Sequence, residues 1–554
     1  MRPLLVLCAL VLGRAPAVAS PPSFPHAAVA SDHPLASAAG VEALRRGGNA
    51  IDAACATALA VGVLHPQSAG IGGGGFLVAW IAREKRFVVL DFREKAPRAV
   101  GRDFYLRGGK ADPRLAQVGP LAVGVPGEVA GLSRAVKELG KLDFARCTEA
   151  AARLAEGFPA HAPLLRAIEG VKGELPKYPA LGGILMPQGK PLAEGQIVRR
   201  PELARTLRVL GKDPQSFYRG AIAKEIVRSL REAGGVLTEE DLASYTVKVR
   251  APLETRYRGR RIATMPPPSS GGIVLTEALN LLEHERVGAL GAGSEAFMHL
   301  YAEVLKHGFA DRARHLGDAD FVSVPVARLA SPAYADELWR RVGPKPIAHE
   351  RYGSGQGGAP PRDGGTTHLS VVDAEGNAVA LTSTVNLYFG SLVIAGSTGI
   401  LLNDQMDDFS LQPGVPNAFG LVGNAQNAVA PGKRPLSSMS PTIVLENDRV
   451  RLVVGAAGGP RIITATLQTL LGVLDFGLAL DVAVAAPRLH AQWMPPVVFV
   501  EKEVPQAVRT GLAARGHEVV EAPPGAVVNA VAVEPGGART AASDPRKNGA
   551  PAGY

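Results

Sequence analysis

Apolar positions along the 554-residue chain change between helical and strand-like spacing. Residues 35–64 carry apolar side chains at helical spacing, and the glycine pair 47–48 divides this stretch, which predicts two successive helices. The short runs 76–81 and 87–92 are dense in apolar side chains and predict strands. From residue 127 to about residue 237 the pattern is mostly helical. The chain is therefore predicted to mix helices and strands.

A pair of strand-like runs follows a segment dominated by Gly and Pro. Eight of the fourteen residues in 352–365 are Gly or Pro, which is typical of a flexible linker. The runs 366–373 and 377–386 flank a short polar turn and predict a β-hairpin. The residue numbers of two facing residues in a hairpin add up to a constant, which is near 750 for this turn, so Thr366 is expected to face Thr384. Asn386, two residues further, is expected on the same face.

A strand, a glycine turn and a helix are predicted in succession near residue 458. Residues 450–457 have a strand pattern, Gly458 and Gly459 form a tight turn, and Pro460 opens a helix over 461–474. Pro has no N–H, so the free donors are those of Gly458 and Gly459, beside the positive end of a helix. Such donors suit a developing oxyanion, although a plain strand-to-helix turn has the same pattern.

Composition describes an exported globular protein. The chain is 46% apolar and 20% charged with a net charge of +9, but its basic residues are scattered and not interleaved with aromatics, which disfavours a nucleic-acid partner. A charged start, a short apolar run and Ala17-Val18-Ala19 predict a signal peptide over 1–19 and a periplasmic or secreted protein. No membrane span is expected after its removal. Cys55 and Cys147 then remain, and we expect free buried thiols.

Two other sequence signals do not support a cofactor or metal. The glycine-rich segment 70–75 has dinucleotide-fingerprint spacing, but a predicted helix precedes it and a strand follows, which is the reverse of the required order. We therefore expect a tight structural turn there. His284-Glu285 lacks the second His of a zinc motif. Neither a cofactor nor a metal is expected.

The position of Thr366 after a flexible loop raises the question of nucleophilic catalysis. A threonine hydroxyl is a poor nucleophile unless a base removes its proton. An N-terminal threonine carries such a base, because the unperturbed pKa of an α-amine is about 7.7–8.0. A Thr-Thr pair in a strand is ordinarily structural, so the surrounding motifs decide the interpretation.

These motifs closely resemble the γ-glutamyltransferases, also called glutathione hydrolases. The resemblance covers essentially the whole mature chain in order. It is carried by Asp91-Phe92-Arg93-Glu94, the Pro-rich loop 266–272, Thr366-Thr367-His368-Leu369-Ser370-Val371-Val372-Asp373, Leu401-Leu402-Asn403-Asp404-Gln405-Met406-Asp407-Asp408-Phe409, Arg434-Pro435-Leu436-Ser437-Ser438-Met439-Ser440-Pro441-Thr442, Gly458-Gly459, Ser543-Asp544-Pro545-Arg546 and Gly553-Tyr554.

The resemblance implies a self-processing enzyme. The precursor would cut itself between Gly365 and Thr366, giving a large subunit 20–365, whose end is the flexible linker 352–365, and a small catalytic subunit 366–554. The family fold is an N-terminal-nucleophile hydrolase, an α+β four-layer αββα sandwich built from both chains. Gly365 departs from many relatives, which carry a larger residue there.

The resemblance also implies roles for individual residues. Thr366 would be the nucleophile, Thr384 would orient its hydroxyl, and Gly458 and Gly459 would stabilise the oxyanion. The remaining assignments concern a γ-glutamyl substrate such as glutathione: Arg93, Ser437 and Ser438 for its α-carboxylate, Asp408, Gln405 and Asn386 for its α-ammonium, and Phe419, where many bacterial relatives have a tyrosine, as a lid. His368 is expected to be structural.

Water or an amino acid or peptide would accept the γ-glutamyl group. Two alternatives share the scaffold, a glutaryl (cephalosporin-type) acylase and a poly-γ-glutamate depolymerase. A third alternative is an uncleaved γ-glutamyl-binding protein. A glutaryl group has no ammonium for Asp408, which favours a γ-glutamyl substrate.

Overall fold

The computed structural model describes residues 21–353, 364–523 and 525–554, so the predicted signal peptide and most of the predicted linker lie outside the described residues. Two seven-stranded sheets form its centre. Their strands, numbered in chain order, are β1 Ser23–Phe24, β2 Ala28–Ala30, β3 Gly74–Ile81, β4 Arg86–Phe92, β5 Lys248–Arg250, β6 Leu253–Tyr257, β7 Arg260–Thr264, β8 Gly365–Val372, β9 Ala378–Asn386, β10 Thr442–Glu446, β11 Arg449–Ala457, β12 Val527–Val533, β13 Arg539–Ser543 and β14 Ala552–Gly553.

Helices of eight or more residues pack around these sheets. They are α1 Pro34–Arg45, α2 Ala50–Leu64, α3 Glu128–Leu139, α4 Phe144–Glu156, α5 Ala162–Val171, α6 Pro201–Lys212, α7 Ala221–Glu232, α8 Gly271–Leu282, α9 Glu295–His315, α10 Pro332–Trp339, α11 Arg461–Leu474 and α12 Gln506–Arg515. Shorter helices are Arg114–Gln117, Pro179–Leu185, Ser216–Arg219, Glu239–Ala243, Val287–Leu290, Val326–Leu329 and Leu480–Ala485. Small sheets pair Leu106–Arg107 with Lys110–Ala111, Phe158–Pro159 with Ile197–Val198, and Leu489–His490 with Val498–Val500 and Val519–Glu521.

Both sheets are antiparallel and draw strands from each side of the Gly365–Thr366 bond. The first sheet has the order β14-β2-β8-β9-β3-β4-β5, and the second has the order β1-β13-β12-β11-β10-β7-β6. Each order interleaves strands that precede residue 366 with strands that follow it. Because the ladders join the two parts, cutting that bond would leave both sheets hydrogen-bonded.

The sheets face each other, and helices cover their outer faces. In β3, Leu77 and Ala79 pack in the apolar cluster shared with α1, α2 and α4, whereas Phe76, Val78 and Trp80 pack in the cluster shared with the second sheet. Helices α8 and α11 cover the second sheet. Both faces of the central strands are buried, so these strands are apolar without alternation. The predicted four-layer αββα fold is confirmed.

The sequence patterns locate several elements correctly. The predicted pair of helices is observed as α1 and α2, and α2 begins with a capping box in which Asn49 and Asp52 bond each other's backbone N–H. The helix expected over 461–474 is observed as α11. The glycine-rich segment 70–75 leads from α2 into β3, as expected for a structural turn. A Cβ at Gly73 would lie 2.0 Å from the Thr384 carbonyl oxygen, so only glycine allows this approach to β9.

Cys55 and Cys147 are buried free thiols that form no disulfide. Burial, with Cys147 as neighbour, raises the pKa of the Cys55 thiol. Among the described helices, none combines the length and apolarity that a bilayer crossing requires.

Candidate active site

The hairpin of β8 and β9 brings the two threonines together. Thr366 pairs with Thr384 in the predicted register, and their Oγ1 atoms are 3.0 Å apart. The register shifts between Gly365 and Thr366, so Gly365 pairs with Asn386. Asn386 adopts a left-handed φ of 83° and lines the same cavity as the two threonines.

The hydrogen bonds of Thr384 fix the direction of the threonine pair. The Thr384 hydroxyl donates to the Gly365 carbonyl oxygen at 2.6 Å, and it accepts the Asn386 N–H at 2.9 Å. Since a hydroxyl carries one proton, Thr366 is the donor in its contact with Thr384. The arrangement polarises the Gly365 carbonyl and holds the Thr366 oxygen beside it.

One cavity is lined by ten of the twelve residues that were predicted for cleavage, catalysis, substrate binding and the lid. It encloses about 300 Å³ including its open mouth. The ten residues are Arg93, Thr366, Thr384, Asn386, Gln405, Asp408, Phe419, Ser437, Ser438 and Gly459. Gly365 is joined to Thr366, and Gly458 lines a neighbouring cavity that also includes Thr366.

Arg93 and Asp408 contact each other directly. The sequence assigns them to opposite charges of a substrate, but here Arg93 Nη2 lies 2.5 Å from Asp408 Oδ2. Gln405 Nε2 donates to the same oxygen at 2.7 Å. Glu94, 3.8 Å from Arg93, has its pKa raised to about 7 because burial outweighs the attraction of Arg93. Asp408 is therefore the nearer carboxyl partner of this buried guanidinium.

The two serines lie on the segment that passes the Pro-rich loop. The Ser437 carbonyl accepts hydrogen bonds from the N–H and hydroxyl of Ser270 at 2.8 and 2.6 Å. The Ser437 hydroxyl accepts the Met439 N–H at 3.1 Å. The Ser438 hydroxyl has no hydrogen bond to another described residue. Ser438 therefore offers an uncommitted donor to a ligand.

Phe419 closes one side of the cavity. A Cβ on Gly459 would lie 2.6 Å from its ring, and a Cβ on Gly364 would also lie 2.6 Å from it, so both glycines are in close contact with the ring. The segment is fixed by Asn417, whose side chain accepts the Phe419 N–H at 3.1 Å and donates to Asp408 at 3.3 Å. The covering ring and the acidic group are thus linked through one amide.

The glycine turn has the conformation that an oxyanion site requires. Gly458 and Gly459 have φ values of 126° and 59°, which residues with a Cβ rarely adopt, and they join β11 to α11. Their N–H groups donate no hydrogen bond to another described residue. Each glycine lines a cavity that also includes Thr366. The turn therefore offers two unengaged donors near the threonine.

Sequence reasoning missed a polar network behind Thr366. Lys547 Nζ donates to Asp32 at 2.7 Å and lies 3.5 Å from the Thr366 carbonyl oxygen. Asp32 also accepts the Thr367 hydroxyl at 2.9 Å and the Asn529 amide at 2.7 Å. Lys547 directly follows the Ser-Asp-Pro-Arg motif, which was the available signal.

Two further residues behind the pocket were missed. The side chain of Asn403 accepts from the N–H of Gly124 and Gln405 and donates to the carbonyls of Gly72 and Gly124, so it ties three segments together. Arg312 is buried and donates to the Ser270 hydroxyl at 3.1 Å, and burial lowers its pKa to about 10. Asn403 lies in a motif of the sequence, whereas no sequence signal distinguishes Arg312.

His368 is fully buried, and its ring contacts neighbouring hydroxyl groups. Its ring nitrogens lie 2.9 Å from the Thr382 hydroxyl and 3.1 Å from the Ser370 hydroxyl, and complete burial lowers its pKa to about 3. The ring is therefore neutral at physiological pH. Across residues 21–353, 364–523 and 525–554, no cluster of three or more His, Cys, Asp or Glu residues is placed to hold a metal ion.

Comparisons with known proteins place the chain among enzymes. The Gamma-glutamyltranspeptidase family matches residues 36–554. The glutathione hydrolase proenzyme of Escherichia coli (strain K12) is 41% identical over 525 residues, covering 94% of this chain and 90% of that protein. The acylase ACY 1 proenzyme of Pseudomonas sp. (strain SE83) is 38% identical, covering 94% and 92%. The crystal structure of cephalosporin acylase from Bacillus halodurans superimposes with a TM-score of 0.86 at 28% identity, covering 99% of each chain.

Proposed function

This chain belongs to the gamma-glutamyltranspeptidase family, and from that premise we propose that it is a self-processing γ-glutamyltransferase and glutathione hydrolase with Thr366 as its nucleophile. The assignment of Thr366 as the nucleophile rests on its contact with Thr384, whose hydroxyl proton is donated to the Gly365 carbonyl. The predicted signal peptide supports a periplasmic or secreted location.

Self-cleavage follows from that contact. The Thr366 oxygen attacks the Gly365 carbonyl carbon, the C–N bond to Thr366 breaks, and the hydroxyl proton is transferred to the departing nitrogen. The resulting ester is opened by water, which leaves a carboxylate on Gly365 and a free α-amine on Thr366. The products are the large subunit, ending at residue 365, and the small catalytic subunit 366–554.

The new α-amine supplies the base for turnover. It takes the proton of the Thr366 hydroxyl as the oxygen attacks the γ-carbonyl of the substrate. The N–H groups of Gly458 and Gly459 stabilise the tetrahedral oxyanion. Its collapse releases the amine product and leaves a γ-glutamyl ester on Thr366. Water or the amine of an amino acid or peptide then accepts the γ-glutamyl group.

The contact between Arg93 and Asp408 suits a zwitterionic substrate end. An α-carboxylate pairs with Arg93 and the Ser437 and Ser438 hydroxyls, and an α-ammonium pairs with Asp408. Binding then replaces one ion pair with two. Gln405 and Asn386 complete the ammonium side, and Phe419 covers the bound group.

The similarity to the acylase ACY 1 proenzyme supports a second candidate, hydrolysis of glutaryl amides. A glutaryl group is a γ-glutamyl group without its ammonium, so its carboxylate would pair with Arg93 and leave Asp408 without a cationic partner. The carboxylate of Asp408, whose side chain is 12% exposed, therefore favours γ-glutamyl substrates. A poly-γ-glutamate chain would have to present its terminal residue, since internal residues lack a free ammonium.

Two measurements test the proposal. Intact mass and N-terminal sequencing of the wild type should find two chains, the smaller beginning Thr-Thr-His-Leu. Thr366→Ala should remain one inactive chain, while Thr367→Ala, the control at the neighbouring hydroxyl, should still be cut. Assays with γ-glutamyl and glutaryl 4-nitroanilides should favour the former. An uncut wild-type chain would support the binding-protein alternative, and cleavage of Thr366→Ala would place the nucleophile elsewhere.

A further inference from the structure

A second cavity opens on Thr366 from the side of Gly458. It encloses about 1140 Å³ including its open mouth, against about 300 Å³ for the cavity that contains Arg93 and Asp408. Thr366 lines both cavities. Thr366 therefore lies at the junction of a small pocket with paired charges and a larger, open one.

Among the described residues that line the second cavity, the charged side chains are basic: Arg166, Arg546 and Lys547. Two of these charges are engaged, because Arg546 pairs with Asp544 at 3.1 Å and Lys547 pairs with Asp32 at 2.7 Å. Arg166, exposed on α5, has no hydrogen bond or ion pair to any other described residue. Its guanidinium is therefore the uncommitted cation among the described lining residues of this cavity.

The chemistry of acyl transfer gives this cavity an occupant, on the premise of the proposed function. When the amino-acid end of the γ-glutamyl group is held at Arg93 and Asp408, the amide nitrogen points away from that pocket, across Thr366. We propose that the second cavity receives the amine-side partner, both the leaving peptide and the incoming acceptor, and that Arg166 binds its carboxylate. Guanidinium pairs favourably with carboxylate, and the described lining residues include no acidic side chain that would repel it.

Two anilide substrates isolate the contribution of this carboxylate. The leaving groups of γ-glutamyl-4-nitroanilide and γ-glutamyl-3-carboxy-4-nitroanilide differ by one carboxylate. In Arg166→Ala, kcat/KM for the carboxylated substrate should fall about 3- to 10-fold relative to the other, the range for a partly exposed charged contact. Arg166→Glu should lower this ratio further, and Arg166→Lys should largely preserve it. In transfer assays, Arg166→Ala should raise the KM of glycylglycine but not that of glycinamide.

Arg231→Ala is the matched control, because Arg231 is also an exposed helical arginine and lines neither cavity. An unchanged ratio in Arg166→Ala, or an equal loss for both anilides, would overturn the assignment of Arg166. A wild-type enzyme that cleaves neither anilide would instead refute the proposed function, and this inference with it. If wild type and Arg166→Ala both cleave the uncarboxylated anilide and the ratio is unchanged, only the assignment of Arg166 fails and the proposed function stands.

Discussion

The Thr384 hydroxyl donates a 2.6 Å hydrogen bond to the carbonyl oxygen of Gly365, the residue that precedes the proposed nucleophile Thr366. The same hydroxyl lies 3.0 Å from the Thr366 oxygen. One side chain thus polarises the bond to be cut and orients the group that would cut it. This relationship requires the hairpin register, because a shift by one residue would turn Thr384 to the opposite face.

Thr384→Ala should slow self-cleavage by about 100-fold, comparable to the loss of one oxyanion donor, and should also reduce turnover of any mature enzyme formed. Thr384→Ser keeps the hydroxyl and should stay within about 10-fold of the wild type. The rate of two-chain formation on denaturing gels measures both. Equal cleavage rates in wild type and Thr384→Ala would show that this hydrogen bond has no role in processing.

Asp408→Asn should raise the KM for a γ-glutamyl anilide by about 10- to 100-fold, because the substrate ammonium loses its charged partner. Its effect on a glutaryl anilide should be much smaller, since that substrate has no ammonium. The glutaryl substrate is therefore the internal control for damage to Arg93. A similar KM increase for both substrates would contradict the assignment of Asp408 to the ammonium.

Lys547→Met should move the acidic limb of the kcat/KM profile to higher pH by about one unit. A nearby ammonium disfavours a second positive charge. We therefore expect Lys547 to lower the pKa of the Thr366 α-amine in the proposed mature enzyme, and its removal to raise that pKa. The base then stays protonated, and inactive, up to a higher pH. Lys547→Arg keeps the charge and should keep the limb in place. An unmoved limb in Lys547→Met would mean that Lys547 acts only through Asp32.

Phe419→Ala should raise the KM for glutathione about 10-fold and increase hydrolysis relative to transfer, because the ring that covers the pocket is lost and water enters. Phe419→Tyr keeps the cover, and its KM should remain within about 3-fold of the wild type. Product analysis in the presence of glycylglycine measures the partition. If Phe419→Ala keeps both KM and partition, the ring does not act as a lid.

Glu128→Gln should remove part of the pH dependence of stability. Burial raises the pKa of Glu128 to about 8, so the folded chain holds this proton more tightly than the unfolded chain does. The contribution of this proton to the free energy of unfolding is fully present below the pKa of Glu128 in the unfolded chain. It is lost as pH rises towards 8, by at most about 1.4 kcal/mol per pH unit. Melting temperatures between pH 5 and 9 should therefore fall less steeply in Glu128→Gln. Glu518→Gln, at an exposed position, should follow the wild type.

The sequence by itself determined the local elements and the pairing of the two threonines. Hairpin register depends on turn position and a side-chain period of two, both of which are readable along the chain, and so Thr366 and Thr384 were correctly paired. The strand, glycine turn and helix at 449–474 were likewise predicted, because Gly and Pro constrain the backbone locally.

Contacts between distant segments were decided only by the tertiary structure. Arg93 and Asp408 are 315 residues apart, and the sequence assigned them to opposite ends of a ligand without indicating that they touch. Lys547 reaches Asp32 across 515 residues, and Arg312 reaches Ser270 from the last turn of α9. Periodicity and turn chemistry act over a few residues, whereas the packing of two sheets and their helices sets which side chains meet.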